Sequence, residues 1–267
     1  MIGDGTVDLD LDLVSILAGI EARRAFVTSL VRAGTDASDK VVGLSWTVVE
    51  LGAHLAATAD NYCLMAEGQA VVTATVSERR TVIDDGIEKH VRSTAAEQAD
   101  TVGAGLDRLV VALGNRCDDD RLPYYGMDVS PAVVAGMFLS ELLVHGVDLA
   151  RTHNRRLEVP DRAAYDALLA GSALAPLIVT AWGRSRAMVL GYDVRGHAPI
   201  LVALDRGRVT INHRRDGPVD AWFGGSAADL LLTSYHRVGA MRSLRTMRLR
   251  GRRPYLALTA DRAFEPA

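Results

Sequence analysis

The chain has 267 residues and a net charge of −3, with 49% apolar and 24% charged side chains. That length allows a sizeable core, and the charge argues neither for nor against a polyanionic partner. Its only cysteines, Cys63 and Cys117, lie far apart and outside any CxxC, so neither a disulfide framework nor a thiolate zinc site is expected.

The acidic start (Asp4, Asp8, Asp10, Asp12) does not read as a signal peptide. The first helix follows it. Leu13, Leu17, Ile20, Val27 and Val31 form one apolar stripe ending at Gly34. A second helix opens at Thr47, with Glu50 completing a capping box, and runs to about Gly68. Val91, Ala95, Ala99, Val102, Leu106, Leu109 and Leu113 mark a third, stopped by Gly114. The fourth is capped by Ser130, has Pro131 at its first position and continues to about His153. A fifth follows Pro160 with Tyr165, Leu168, Leu169 and Leu174. The longest apolar run, 167–181, is broken by Gly171, Ser172 and Pro176 and is too short for a membrane span. A cytoplasmic protein without a membrane partner is expected.

The character changes near Gly183. Ala187–Tyr192, Ile200–Leu204 and Val209–His213 have strand composition, the last two joined by an Asp205-Arg206-Gly207 turn. Ser226 and Asp229 cap a short helix, and Tyr255–Thr259 is expected to close the sheet. The predicted organisation is α+β: an up-down four-helix bundle over 1–183 and a small α+β domain over 184–267.

Glu141 and His145, four residues apart, project from one face of the fourth helix. Val134, Met137, Phe138, Leu142 and Leu143 make that helix apolar, so the pair must be hydrogen-bonded or bound to a metal. His54 sits in a similar setting among Leu51, Leu55 and Ala57. Two imidazoles and a carboxylate on facing helices are a common divalent-ion site. By spacing alone, an intrahelical ion pair and a hydrogen-bonded core histidine are the commoner readings.

The segment from Trp46 to Leu55, WTVVELGAHL, resembles the signature that opens the second helix of the mycothiol-dependent maleylpyruvate isomerase family, within the DinB-like metal-binding bundles. Glu141-Leu142-Leu143-Val144-His145-Gly146-Val147-Asp148 resembles its second signature. The resemblance implies that His54, Glu141 and His145 bind a divalent metal, taken as zinc. Asp148 could orient His145 or pair with Arg151. Glu50 is assigned to capping and His153 to a solvated helix end. The stretch from Ala221 to Leu232, continuing to Arg237, resembles the sterol-carrier-like domain that follows this bundle. It implies that Arg237 binds substrate carboxylate, although His236 stands where many relatives have glycine. The run Arg237, Arg242, Arg245, Arg248, Arg250, Arg252, Arg253 is read as a mostly solvated face, and no nucleic-acid partner is expected.

By this resemblance the chain uses mycothiol, activated at the metal, for cis–trans isomerisation of a small electrophile or for S-transfer to it. A thiol-independent metal-dependent hydrolase or lyase-like enzyme on the same site is the alternative, and a non-catalytic metal-binding sensor is another. Neither cysteine occupies a nucleophile motif. Lysine occurs only at Lys40 and Lys89 among thirty basic residues, a bias that fits a high-GC genome.

Overall fold

The structure is a computed structural model that describes residues 9–34, 38–69, 76–213, 217–239, 243 and 246–265. It divides into two compact units. One is Asp12–Val159; the other runs from Pro160 onward and includes the described residues before Asp12.

The first unit is helical. Helix α1 (Leu13–Arg32) starts where Asp12 accepts hydrogen bonds from the Val14 and Ser15 amides. Helix α2 (Val48–Ala66) opens on the expected box: Thr47 Oγ1 accepts from the Glu50 amide, and Glu50 Oε2 accepts from the Thr47 amide at 2.6 Å. After α3 (Val76–His90), a second capping box at Thr94 and Glu97 starts α4 (Ala95–Gly114). A short hairpin, β1 (Leu122–Tyr124) and β2 (Met127–Val129), precedes α5 (Pro131–Thr152). Helices α1 and α2 each lie against both α4 and α5, which makes the expected four-helix bundle.

Helix α5 is the core of this bundle. It is long and apolar enough to cross a bilayer, yet 94% of its most apolar stretch is buried within the structure. Val133, Phe138, Leu142 and Leu143 are completely buried, each contributing about 1.5–3 kcal/mol of hydrophobic stabilisation. A polar side chain on this helix therefore needs a partner.

Helix α3 was not expected, and the third predicted helix begins four residues later than Val91. The segment 76–90 is nearly half charged and lacks a continuous apolar stripe, but it is held mainly by α2. At Gly86 the two helices come so close that a Cβ atom would sit 2.7 Å from Ala57 Cβ.

The second unit begins earlier than the expected boundary near Gly183. Helix α6 (Asp161–Ser172) is helical, as expected, but it packs on α9 (Ala227–Ser234). Asp161 joins them by accepting from the Ala227 amide, and Tyr165 stacks on His197 at 4.3 Å. Two short helical turns follow, α7 (Ala175–Ile178) and α8 (Ala181–Arg184). The strands are β3 (Ala187–Val194), β4 (Ile200–Asp205), β5 (Arg208–Asn212), β6 (Ala221–Gly225) and β7 (Arg248–Arg250), in the order β5-β4-β3-β6-β7. Only the β3–β6 pairing is parallel. Tyr255–Thr259 is not a strand. It lies in a 3₁₀ helix, Pro254–Ala263, because β7 already pairs with the outer edge of β6 and Pro254 favours a helical start.

His236 ends α9 in the left-handed region at φ 57°, and the Arg237 amide reaches back to the Leu232 carbonyl at 2.7 Å. This is the position where glycine normally closes a helix. His236→Gly is therefore expected to stabilise the protein by about 1 kcal/mol, read as a small rise in melting temperature.

Candidate metal centre

The bundle brings His54, Glu141 and His145 together, although 87 residues separate His54 from Glu141. The α2 capping box fixes the start of the helix that carries His54, and the apolar packing of α5 fixes the other two. Glu141 Oε2 lies 3.3 Å from His54 Nε2 and 3.2 Å from His145 Nε2. One donor atom from each of the three falls within 4.8 Å of the others. The imidazoles meet edge to face at 4.9 Å, and both histidines are buried.

On the far side of His145, Nδ1 lies 3.1 Å from Oδ2 of Asp148, which is completely buried. Burial alone would push the His145 imidazole down, but hydrogen bonds to Asp148 and Glu141 outweigh it and raise it to about 9. Burial pushes His54 down, with Glu141 opposing only in part. Burial also works against the Glu141 carboxylate, yet the two imidazoles hold it well below the usual range.

This donor set fits a divalent cation. Two imidazole nitrogens and one carboxylate oxygen converge, and a buried carboxylate orients one imidazole from behind.

The surroundings add residues that sequence reasoning did not single out. The Trp46 ring lies 5.0 Å from the His54 ring and 6.3 Å from that of His145, closing one side. A small pocket of about 20 Å³ adjoins the trio, with His54, Thr58, Asn61, Arg79, Tyr125 and Glu141 among its walls. Arg79 comes from the unexpected α3. Tyr125 comes from the turn of the β1–β2 hairpin, where it adopts φ 46°.

The remaining candidates are placed as follows. Glu50 caps α2. His153 is the C-cap of α5 and is half-buried rather than solvated. Arg237 belongs to the second unit, half-buried, with Nη1 donating to the Tyr235 carbonyl at 2.6 Å. Arg242 and Arg245 lie outside the described residues. Arg248 and Arg250 are exposed on β7, and Arg250 pairs with Asp193. Arg252 and Arg253 pair with the buried Asp220 at 2.9 and 2.8 Å, so part of the basic run is anchored rather than freely solvated.

Cys63 is buried, donates its thiol to the Gly105 carbonyl at 3.1 Å and is pushed by burial up to about 11. Cys117 is exposed. A disulfide-exchange reagent at pH 8 is expected to titrate one thiol per native chain, Cys117, and both after denaturation. The fold holds Cys63 as the neutral thiol. Its contribution to stability is therefore intact below the ordinary value of 9.0 and is lost as pH rises toward about 11.

Residues 18–150 match the family described as the mycothiol maleylpyruvate isomerase N-terminal domain. Among solved structures, the chain resembles that of a mycothiol-dependent maleylpyruvate isomerase at 17% identity and a TM-score of 0.54, over 90% of this chain and 93% of that one. A histidine-to-alanine mutant of a mycothiol-dependent maleylpyruvate isomerase matches at 16% identity and a TM-score of 0.55, with the same coverage. No curated protein matches the chain in sequence.

Proposed function

We propose that this chain, which belongs through its helical unit to the mycothiol maleylpyruvate isomerase family, is a metal-dependent enzyme that uses a low-molecular-weight thiol on a small electrophile. The reaction is cis–trans isomerisation or S-transfer, and mycothiol is the thiol. The observation that carries this reading is the convergence of His54, Glu141 and His145 at the wall of a pocket.

His54, Glu141 and His145 would hold Zn²⁺ or a related divalent ion. When bound, such an ion supplies the Lewis acidity that keeps a thiol ionised near neutral pH. The chain's own residues do the rest. Asp148 orients the His145 ring through Nδ1, leaving Nε2 directed at the site. Trp46 covers the two imidazoles, and the apolar face of α5 limits water around them. The small pocket marks the side from which the electrophile would approach the trio. Cys63, held as a neutral thiol, leaves the nucleophile to come from outside the protein. Arg237 is the second unit's candidate for binding substrate carboxylate, supported by the resemblance of the segment that precedes it.

The test is metal content and turnover of gently purified protein. Near one divalent ion per chain is expected, with maleylpyruvate isomerisation that needs both the ion and mycothiol. Retained turnover without any thiol would move the function to a hydrolase or lyase. No ion after reconstitution would sink the site.

A further inference from the structure

Arg79 is 8% exposed, and its guanidinium faces the pocket that His54 and Glu141 also line. Among the described residues no carboxylate lies within ion-pair distance of it, and its Nε is buried without a hydrogen-bond partner. It meets the Tyr125 side chain, whose hydroxyl accepts a hydrogen bond from it and whose ring centre lies 5.5 Å from its Cζ, and it interacts through space with the Glu141 carboxylate. A buried cation in a protein is ordinarily paired, since leaving it unpaired costs several kcal/mol.

Two further observations place this charge in the service of a ligand. Tyr125, which holds the guanidinium, takes a left-handed backbone conformation at the hairpin turn, followed by Gly126 at φ 86°. Asparagine or glycine would occupy that first turn position at lower cost, so the tyrosine there carries a local backbone penalty. The second is the composition of the walls. Beside Arg79 stand Thr58 and Asn61, neutral groups that hydrogen-bond an anion without repelling it.

We propose that Arg79 recognises a carboxylate of the electrophilic substrate, binding it in the pocket beside the His54–Glu141–His145 cluster. The planar guanidinium matches a carboxylate in a two-pronged hydrogen bond, which a neutral ligand cannot offer. What is new is the residue: Arg79 holds the carboxylate, with the reactive carbons toward the metal ligands. This proposal rests on the thiol-dependent reading of the same site. It assigns to α3 a specificity-determining residue for that reaction.

The test uses maleate, a small unsaturated dicarboxylate, and zinc-loaded protein without thiol. In calorimetry, Arg79→Met is expected to weaken maleate binding at least tenfold at unchanged zinc content, and Arg79→Lys to weaken it less. In nitrogen-resolved NMR of the wild type, the arginine Nε–H resonance missing from Arg79→Lys should move on adding maleate and stay still on adding its neutral diamide. Maleate binding by Arg79→Met within twofold of wild type overturns the proposal. So does an Arg79 resonance indifferent to maleate, which decides the matter even if the methionine variant does not fold. A protein that holds zinc and needs mycothiol while Arg79 ignores maleate loses this assignment alone. One whose Arg79 answers to maleate but turns over without thiol keeps it and loses the thiol-dependent activity.

Discussion

Replacing Glu141 by glutamine is expected to remove the bound ion and lower thiol-dependent turnover by about three orders of magnitude, some 4 kcal/mol of transition-state stabilisation. Glutamine keeps the size of the side chain and leaves an amide that still hydrogen-bonds the imidazoles, so the α5 packing around Phe138, Leu142 and Leu143 is undisturbed. What disappears is the negative charge that Oε2 presents to both Nε2 atoms at 3.2 and 3.3 Å. A neutral amide oxygen is a poor ligand for zinc. Metal analysis with circular dichroism separates this outcome from unfolding. A variant that keeps its helical signal, one ion per chain and full turnover would show that the cluster is an ordinary buried ion pair.

Asp148→Asn should act through His145 rather than on the ion. The carboxylate lies 3.1 Å from Nδ1 and is completely buried. It fixes the ring orientation and makes the opposite nitrogen a better donor. Asparagine can accept the same hydrogen bond but carries no charge, and losses at such positions run to about 10–100-fold in metal affinity. Competition against a chromophoric chelator measures it directly. If Asp148 serves only as a helix partner for Arg151, affinity stays at the wild-type value while stability falls.

Glu141 and His145 were the most legible positions in the sequence. The Glu141–His145 spacing places both on one face, and the apolar residues around them require that face to be buried. His54 was legible as a polar residue in an apolar helix. Its meeting with α5 was not implied by spacing and came from resemblance. Arg79 and Tyr125 escaped for physical reasons. Helix α3 has no continuous apolar stripe, since its stability comes from close contact with α2 at Gly86. Tyr125 sits in a two-residue turn whose composition reports a reversal of the chain and nothing of what it faces. The boundary near Gly183 was misjudged because α6 has the periodicity of a bundle helix, and only its packing on α9 places it with the sheet. The misread strand at Tyr255–Thr259 has a similar origin. Its residues suit a sheet, but β7 had taken the available edge.

The way α3 is attached has a consequence for divergence. The proposed metal ligands lie on α2 and α5, where nearly every neighbour is core, so changes there threaten the fold itself. Helix α3 is an outrigger: it rests mainly on one helix, through a contact whose tightness comes from a missing methyl at Gly86. Residues on its pocket side can be exchanged at little cost to the bundle. A lineage carrying this scaffold can therefore keep one chemistry and change its clientele by rewriting a single peripheral helix, with Gly86 as the fixed point about which the rest varies.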